Sequence, residues 1–305
     1  MKNILALIKR NCLLFIRSKQ VVFSSLLSGS ILIILYFLFI ANLYSQGFND
    51  SMGLSLTQNQ INAAIYLQMI MGVLVINSIS LSTGMFTFTA KDFETHKTEA
   101  FLLTKAKPIQ LTLSYLISAI IISFALNFLI LIISIILIGA LTNVWIGFLT
   151  FLSISGVLII VTLAGCAIML FITSIVRSSV AIGVISGIVG TILGFLCGIY
   201  MPYNNMGIGA MYVGSLLPIT HFAIWLKQIA LSDIFIQYGV SNEVSEIIQK
   251  EAFSAGNIGL CGADLPLWLM IVLGVIFSIA CLIASMFIIS KMYKEQKHQK
   301  LIKTK

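Results

Sequence analysis

Residues 111–140 read LTLSYLISAIIISFALNFLILIISIILIGA, and no charged side chain interrupts them. A helix of this length would extend for about 45 Å at a rise of about 1.5 Å per residue. The hydrocarbon core of a bilayer is about 30 Å thick, and about 20 apolar residues cross it. The segment is therefore predicted to be a transmembrane helix that tilts or protrudes from the bilayer.

Five further apolar runs of similar character flank this segment. They cover residues 21–43, 63–90, 144–176, 180–201 and 266–290. Hydrophobic residues make up 59% of the chain and charged residues only 9%, and the mean hydropathy is +1.07. Such a composition excludes a soluble domain with a polar shell. We predict an all-α membrane protein with six transmembrane helices, whose membrane domain extends over residues 21–290.

The basic residues predict the orientation of these helices. Of the eighteen Lys and Arg residues, sixteen fall in four segments that can share one side of a membrane: five in residues 1–20, four in 91–107, one at Arg177 and six in 291–305. Basic residues are retained on the cytosolic side. Both termini of this multi-pass protein are therefore expected in the cytosol, with residues 291–305 as a basic cytosolic tail. An even number of membrane crossings agrees with this orientation.

Residues 1–20 predict a separate amphipathic helix. At helical spacing, its apolar side chains share one arc and its polar side chains share the opposite arc, which contains Lys9, Arg10 and Arg17. Such a helix is suited to lying in the membrane interface, with lipid as its partner. The alternative is a solvated leader with incidental periodicity.

A stripe of glycines marks the fifth apolar run. It consists of Gly183, Gly187, Gly190, Gly194 and Gly198, spaced three or four residues apart. A bare helix face of this kind allows the backbone of a neighbouring helix to approach closely. Helix packing is the favoured interpretation, ahead of a direct part in moving a substrate.

The region 202–265 is the only sizeable segment predicted on the outer side. Its first part is apolar but is interrupted by Pro202 and Pro218, and His221 follows. Interrupted apolar segments favour re-entrant or interfacial helices over a complete crossing. These three residues mark a candidate outer gate.

Motifs for chemistry are missing from the sequence. It has no phosphate-binding GxxxxGK[ST] loop and no HExxH motif, and its three histidines lie in separate regions. We expect neither enzymatic activity nor a metal or cofactor on this chain. The basic segments lack the interleaved aromatic residues that favour nucleic acid. No carboxylate lies within the six predicted spans, which disfavours ion-coupled secondary transport.

If the protein transports a substrate, the energy must come from a partner. The loop 91–108 is strongly charged but contains an apolar cluster. A short helix with exposed apolar residues can dock into a groove on a motor subunit. The alternative is an interfacial helix that rests on lipid.

Three stretches together resemble a known family. They are ETHKTEAFLLTKAKP at 94–108, RNCLLFIRSK at 10–19 and GTILGFLCGIYMP at 190–202. In this combination they resemble the permeases of type-2 ABC exporters, in particular a subgroup from low-GC Gram-positive bacteria. The resemblance covers nearly the whole chain.

The resemblance implies a six-span permease with an amino-terminal interfacial helix and outer re-entrant helices before the last span. It also implies a coupling helix that contacts a separate ABC ATPase, which would bind ATP and Mg²⁺. The coupling residues would be Glu94, Thr98, Glu99, Phe101, Leu102, Leu103 and Thr104. A second permease copy or a paralogue would complete the membrane dimer.

The expected activity is outward transport of a drug, peptide, toxin or lipid-like molecule. The alternative is a non-transporting immunity or sensor subunit that binds a peptide at the outer surface. The region 202–265 suits either role.

Overall fold

The computed structural model describes residues 2–23, 57–95, 97, 108–201, 203, 206–263 and 265–303, with side chains from residue 4 to residue 292. These ranges contain helices and no β-strand, which confirms the predicted all-α membrane fold. The helices are α1 (Lys2–Arg17), α2 (Gln58–Glu94), α3 (Pro108–Thr142), α4 (Phe148–Val176), α5 (Ser179–Leu196), α6 (Ile208–Ser215), α7 (Pro218–Gln237), α8 (Asn242–Glu251) and α9 (Leu267–Lys303).

Six of the described helices are long and apolar enough to cross a membrane: α2, α3, α4, α5, α7 and the Leu267–Met292 part of α9. Five of them coincide with predicted apolar runs. The sixth, α7, lies in the outer region, where the sequence predicted interrupted segments. The remaining predicted run, 21–43, lies outside the described residues beyond residue 23.

Helix α2 extends beyond its apolar run at both ends. At its start, the Thr57 backbone N–H donates to the Gln60 side-chain oxygen at 2.8 Å. At its end, the backbone N–H and the hydroxyl of Thr95 donate to the carbonyl of Lys91, at 2.9 and 2.7 Å. Residues 91–94, predicted as loop, therefore form the last turn of α2. This turn carries two carboxylates, Asp92 and Glu94.

Helix α2 forms the centre of the bundle. In its most apolar 18-residue window 89% of the residues are buried, against 28% in α3 and 22% in α9. On α3, the Asn127 side-chain amide donates to the Leu74 carbonyl at 3.0 Å. On α4, a side chain at Gly165 would lie 2.8 Å from the Ser78 hydroxyl. The helices α3 and α9, by contrast, turn most of their apolar surface outward.

Helix α5 ends at Leu196, five residues before the end of its predicted run. Gly198 adopts a left-handed conformation, with φ of 61°, which glycine reaches without the steric cost of a Cβ. A Cβ at this position would also lie 2.6 Å from the Ser254 side chain. The chain therefore leaves the helix here. At the carboxyl end of the protein, α9 continues to Lys303, so the predicted tail is helical up to that residue.

The contact between Gly165 and α2 can be tested by substitution. We expect Gly165→Leu to lower the free energy of unfolding by about 2 to 3 kcal/mol, because the added side chain must push α4 away from Ser78. A Cβ at Gly156, also on α4, would meet no atom within 4 Å, so Gly156→Leu is the matched control. Thermal unfolding of both variants in detergent measures the effect, and equal melting temperatures would contradict the close contact.

Candidate functional site

A buried carboxylate near the end of α2 bonds the middle of α1 and the first turns of α3, at the end of the bundle that the predicted orientation places in the cytosol and that we call inner. The Arg10 guanidinium donates two hydrogen bonds to Asp92, at 2.8 and 3.1 Å, and the Tyr115 hydroxyl donates a third at 2.9 Å. Burial lowers the pKa of Arg10, but the hydrogen bond and charge of Asp92 outweigh it, so the pKa is raised above its ordinary value. A two-pronged contact of this kind fixes orientation as well as distance. We call these three residues the inner clamp.

The inner clamp changes the interpretation of the amphipathic helix. Arg10 faces the protein, whereas Lys9 and Arg17 are exposed. Phe15 is buried against Phe88 of α2, with ring centroids 6.4 Å apart in an edge-on arrangement. Arg10 therefore ties α1 to α2, while the other two cations remain available for contact with lipid headgroups.

Glu94 makes a second connection from the same turn of α2. Its two carboxylate oxygens accept hydrogen bonds from the backbone N–H and the hydroxyl of Ser179, at 2.9 and 2.8 Å. Ser179 is the first residue of α5. Glu94 thus links the end of α2, where the predicted coupling loop begins, to the start of α5.

The other predicted coupling residues lie outside the described residues, and their role stays a prediction. They are Thr98, Glu99, Phe101, Leu102, Leu103 and Thr104.

The outer end of α5 is held by a buried lysine. The Lys227 ammonium, on α7, donates to the carbonyls of Cys197 and Gly198 at 2.9 and 3.1 Å. The Gln68 amide, on α2, donates to the same Gly198 carbonyl at 3.5 Å. A cation at the carboxyl end of a helix compensates its unpaired carbonyls. Lys227, which lies in the region 202–265 predicted on the outer side, is therefore buried on α7 against the end of α5.

The candidate gate residues lie around the start of α7. Pro218 is the first residue of that helix, a position where its missing N–H has no partner to lose. The His221 ring nitrogen Nε2 bonds the Ser215 carbonyl at 2.8 Å, which connects α7 to α6. Pro202 lies outside the described residues.

At the far end of α7, Asp233 accepts a hydrogen bond from the Gly147 backbone N–H at 3.0 Å, in the connection between α3 and α4.

The glycine stripe has two different environments. A Cβ at Gly183 or Gly187 would meet no atom within 4 Å, so no described helix packs against this part of the stripe. Gly190 lies near Ser80 of α2 at ordinary contact distance, and the Tyr200 ring covers Gly194. Gly183 and Gly187 therefore have no packing partner among the described residues of this chain.

An open cavity of about 570 Å³ lies between α7, α8 and the segment that follows α8. Trp225 and several carboxamide side chains line it, together with Glu246 and Lys250. The cavity combines an aromatic surface with groups that can bond a peptide chain.

A known protein family matches most of the chain. The sequence profile of the ABC-2 type transporter family matches residues 2–231, from α1 into α7. The chain belongs to the ABC-2 type transporter family. No curated protein shows significant similarity to it. Family membership makes the chain a multi-pass membrane permease of an ABC transporter rather than its ATPase. Such permeases work with an ABC ATPase and usually form dimeric membrane domains.

Asp92 and Lys227 were not identified as site residues from the sequence, although each has a weak signal there. Asp92 lies two residues after the apolar run 63–90, and Lys227 is a single cation within the apolar stretch HFAIWLKQIAL. Charges in such positions tend to be paired or bonded. Their partners could not be named, because Arg10 and Asp92 are 82 residues apart and Lys227 lies 30 residues from Cys197.

A double-mutant cycle tests the inner clamp. Arg10 is 27% exposed and Asp92 only 7%, so Arg10→Ala should cost about 2 kcal/mol and Asp92→Ala about 3 kcal/mol of unfolding free energy. The double variant should cost less than the sum by about 1 to 2 kcal/mol. Lys9→Ala, which removes an exposed cation from the neighbouring position, should change little. Additive losses in chemical unfolding in detergent would show that Arg10 and Asp92 do not interact.

Proposed function

We propose that this ABC-2 permease is the membrane subunit of an ATP-driven exporter. Two permease subunits, either two copies or this chain and a paralogue, would pair with ABC ATPase chains that bind ATP and Mg²⁺. The single observation that carries the proposal is the position of the loop between Glu94 and Pro108. It leaves α2 from a turn that is bonded to α1, α3 and α5.

A loop in this position is suited to transmit motion. A force on residues 95–107 acts on α2 and α3 directly, because both helices border the loop. It also acts on α5 through Glu94, and on α1 through Asp92. The ATPase would contact the apolar residues of the loop, Phe101, Leu102 and Leu103. The polar residues Thr98, Glu99 and Thr104 would complete that contact.

The second permease subunit would meet α5. Val180, Val184 and Ile188 on this helix are between 54% and 75% exposed, and Gly183 and Gly187 have open space in front of them. An exposed face that combines glycines with branched apolar residues suits close packing with another membrane helix. The glycine stripe would thus serve packing between subunits as well as within the chain.

The outer segment would form the gate. Helix α7 contacts the outer end of α5 near its middle, through Lys227, and the α3–α4 connection near its end, through Asp233. These contacts support a pair of re-entrant helices, α6 and α7, on the outer side. Pro202, Pro218 and His221 border their turns. The cargo classes are a drug, peptide, toxin or lipid-like molecule, as in the low-GC Gram-positive relatives that the sequence resembles.

The coupling contact can be tested by binding. We expect Phe101→Asp and Leu102→Asp to weaken binding of the ABC ATPase encoded beside the gene by about 30-fold each, as for interface residues worth about 2 kcal/mol. The physical reason is that a carboxylate cannot enter an apolar groove without losing its hydration. Co-purification from membranes and stimulated ATP turnover measure the loss.

Ile247→Asp is the matched control for these variants. Ile247 is 57% exposed on α8, so the same kind of substitution there should leave ATPase binding unchanged. Unchanged binding in the Phe101 and Leu102 variants would remove the coupling assignment. If the unaltered permease bound no ATPase, the alternative, a subunit that binds a peptide in the outer cavity, would be favoured.

Cysteine labelling tests the orientation. Cys261 is exposed, beyond the outer end of α8, whereas Cys12 lies on α1. We expect a membrane-impermeant maleimide to label Cys261 in intact cells. Cys261→Ser should remove this labelling, and permeabilisation should then allow slower labelling of Cys12. Labelling of the Cys261→Ser variant in intact cells would place the amino terminus outside.

A further inference from the structure

The first residue of α5 is hydrogen-bonded to a carboxylate from another helix, α2. The first backbone N–H groups of any α-helix have no partner within the helix. At α5, the backbone N–H of Ser179 donates to one carboxylate oxygen of Glu94, which lies 85 residues earlier in the chain. The Ser179 hydroxyl donates to the second oxygen of the same carboxylate. Negative charge at this position is also favoured by the helix dipole.

The fold of α5 does not depend on this carboxylate alone. Ser178 is the local N-cap, and its hydroxyl oxygen accepts a hydrogen bond from the Ala181 N–H at 3.5 Å. The Glu94 side chain is also exposed, so its bonds to Ser179 can exchange with water. Glu94 is therefore a contact between two helices rather than part of the buried core.

The two carboxylates on the last turn of α2 have different environments. Asp92 is buried and holds α1 and α3 through three hydrogen bonds. Glu94, two residues later, is exposed, and within the described residues it bonds the start of α5. The Asp92 contact is suited to keep α1, α2 and α3 together. The Glu94 contact is suited to respond to movement of the loop.

Helix α5 is suited to carry a displacement along its length. One face of α5 packs against α2, but only 22% of its 18 residues are buried in this chain, so the other described helices contact it little. Its outer end is bonded to Lys227 on α7 and to Gln68 on α2. A helix of 18 residues is about 27 Å long. A shift at Ser179 can therefore reach the candidate gate at Gly198.

We propose that Glu94 is a positioning residue for transport, whose carboxylate makes α5 follow the coupling loop and so delivers the movement of the ATPase to the outer end of α5. This role rests on the proposed function. It differs from direct contact with the ATPase, since both oxygens of Glu94 are directed at Ser179. The ATPase would act on Glu94 through the loop that follows it.

The experiment compares variants of the full permease in complex with its ABC ATPase. Hydrogen–deuterium exchange of residues 194–203 is measured with and without a non-hydrolysable ATP analogue. In the unaltered complex we expect the analogue to change exchange in this segment. In Glu94→Ala we expect the nucleotide-dependent change at residues 194–203 to be lost, as measured on the permease that co-purifies with the ATPase.

Three further variants separate positioning from stability. Glu94→Gln keeps one acceptor oxygen and should retain part of the response, and Ser179→Ala should lose part of it, because the backbone N–H still bonds Glu94. Thr95→Ala is the matched control: its hydroxyl bonds only the Lys91 carbonyl within α2, so the response should persist.

Two results would overturn the proposal. One is an unchanged nucleotide response in Glu94→Ala. The other is faster exchange throughout α5 in that variant even without nucleotide, which would assign Glu94 a purely structural role. Failure of the unaltered permease to bind the ATPase would instead reject the proposed function, and the role of Glu94 with it. Binding is measured first, so the two failures are distinguishable.

Discussion

The burial of α2 is the constraint on which the rest of the structure depends. A helix surrounded by other helices must present small or bonded groups at each contact, because its neighbours would otherwise be held apart. Ser78 meets Gly165 of α4, and the Leu74 carbonyl meets Asn127 of α3. Polar and small residues along α2 lower its hydropathy to 1.8, below the 3.0 of α3. The shielded helix is thus less apolar than α3, which faces outward.

The two carboxylates at the inner end of α2, Asp92 and Glu94, connect this central helix to its neighbours. The buried Asp92 carboxylate is compensated by the hydrogen bonds that it accepts from Arg10 and Tyr115. Glu94 is exposed and needs no such compensation. The difference in burial distinguishes the contact that holds α1, α2 and α3 together from the exposed contact at the start of α5, a helix that packs against α2 by one face. In an ABC-2 permease, this difference would let one loop move α5 relative to the other helices.

The outer end of α5 follows the same physical rule as the inner end. Where the helix stops, the carbonyls of Cys197 and Gly198 must find donors inside the protein, because both residues are buried. Lys227 and Gln68 supply these donors to Cys197 and Gly198. A buried ammonium is costly unless it is bonded, so each group compensates the other. The same contact therefore explains both the early end of α5 and the burial of Lys227.

The sequence by itself determined the properties that arise from local pattern. The apolar runs identify α2, α3, α4, α5 and α9 because about 20 apolar residues suffice to cross a bilayer, and the periodicity of residues 2–17 identifies α1. Only the tertiary structure decided which polar residues pair. The sequence does not name the partners of Arg10, Lys227 and Glu94, which lie 82, 30 and 85 residues away. Hydropathy is a local property, whereas a hydrogen bond requires two chain segments to meet.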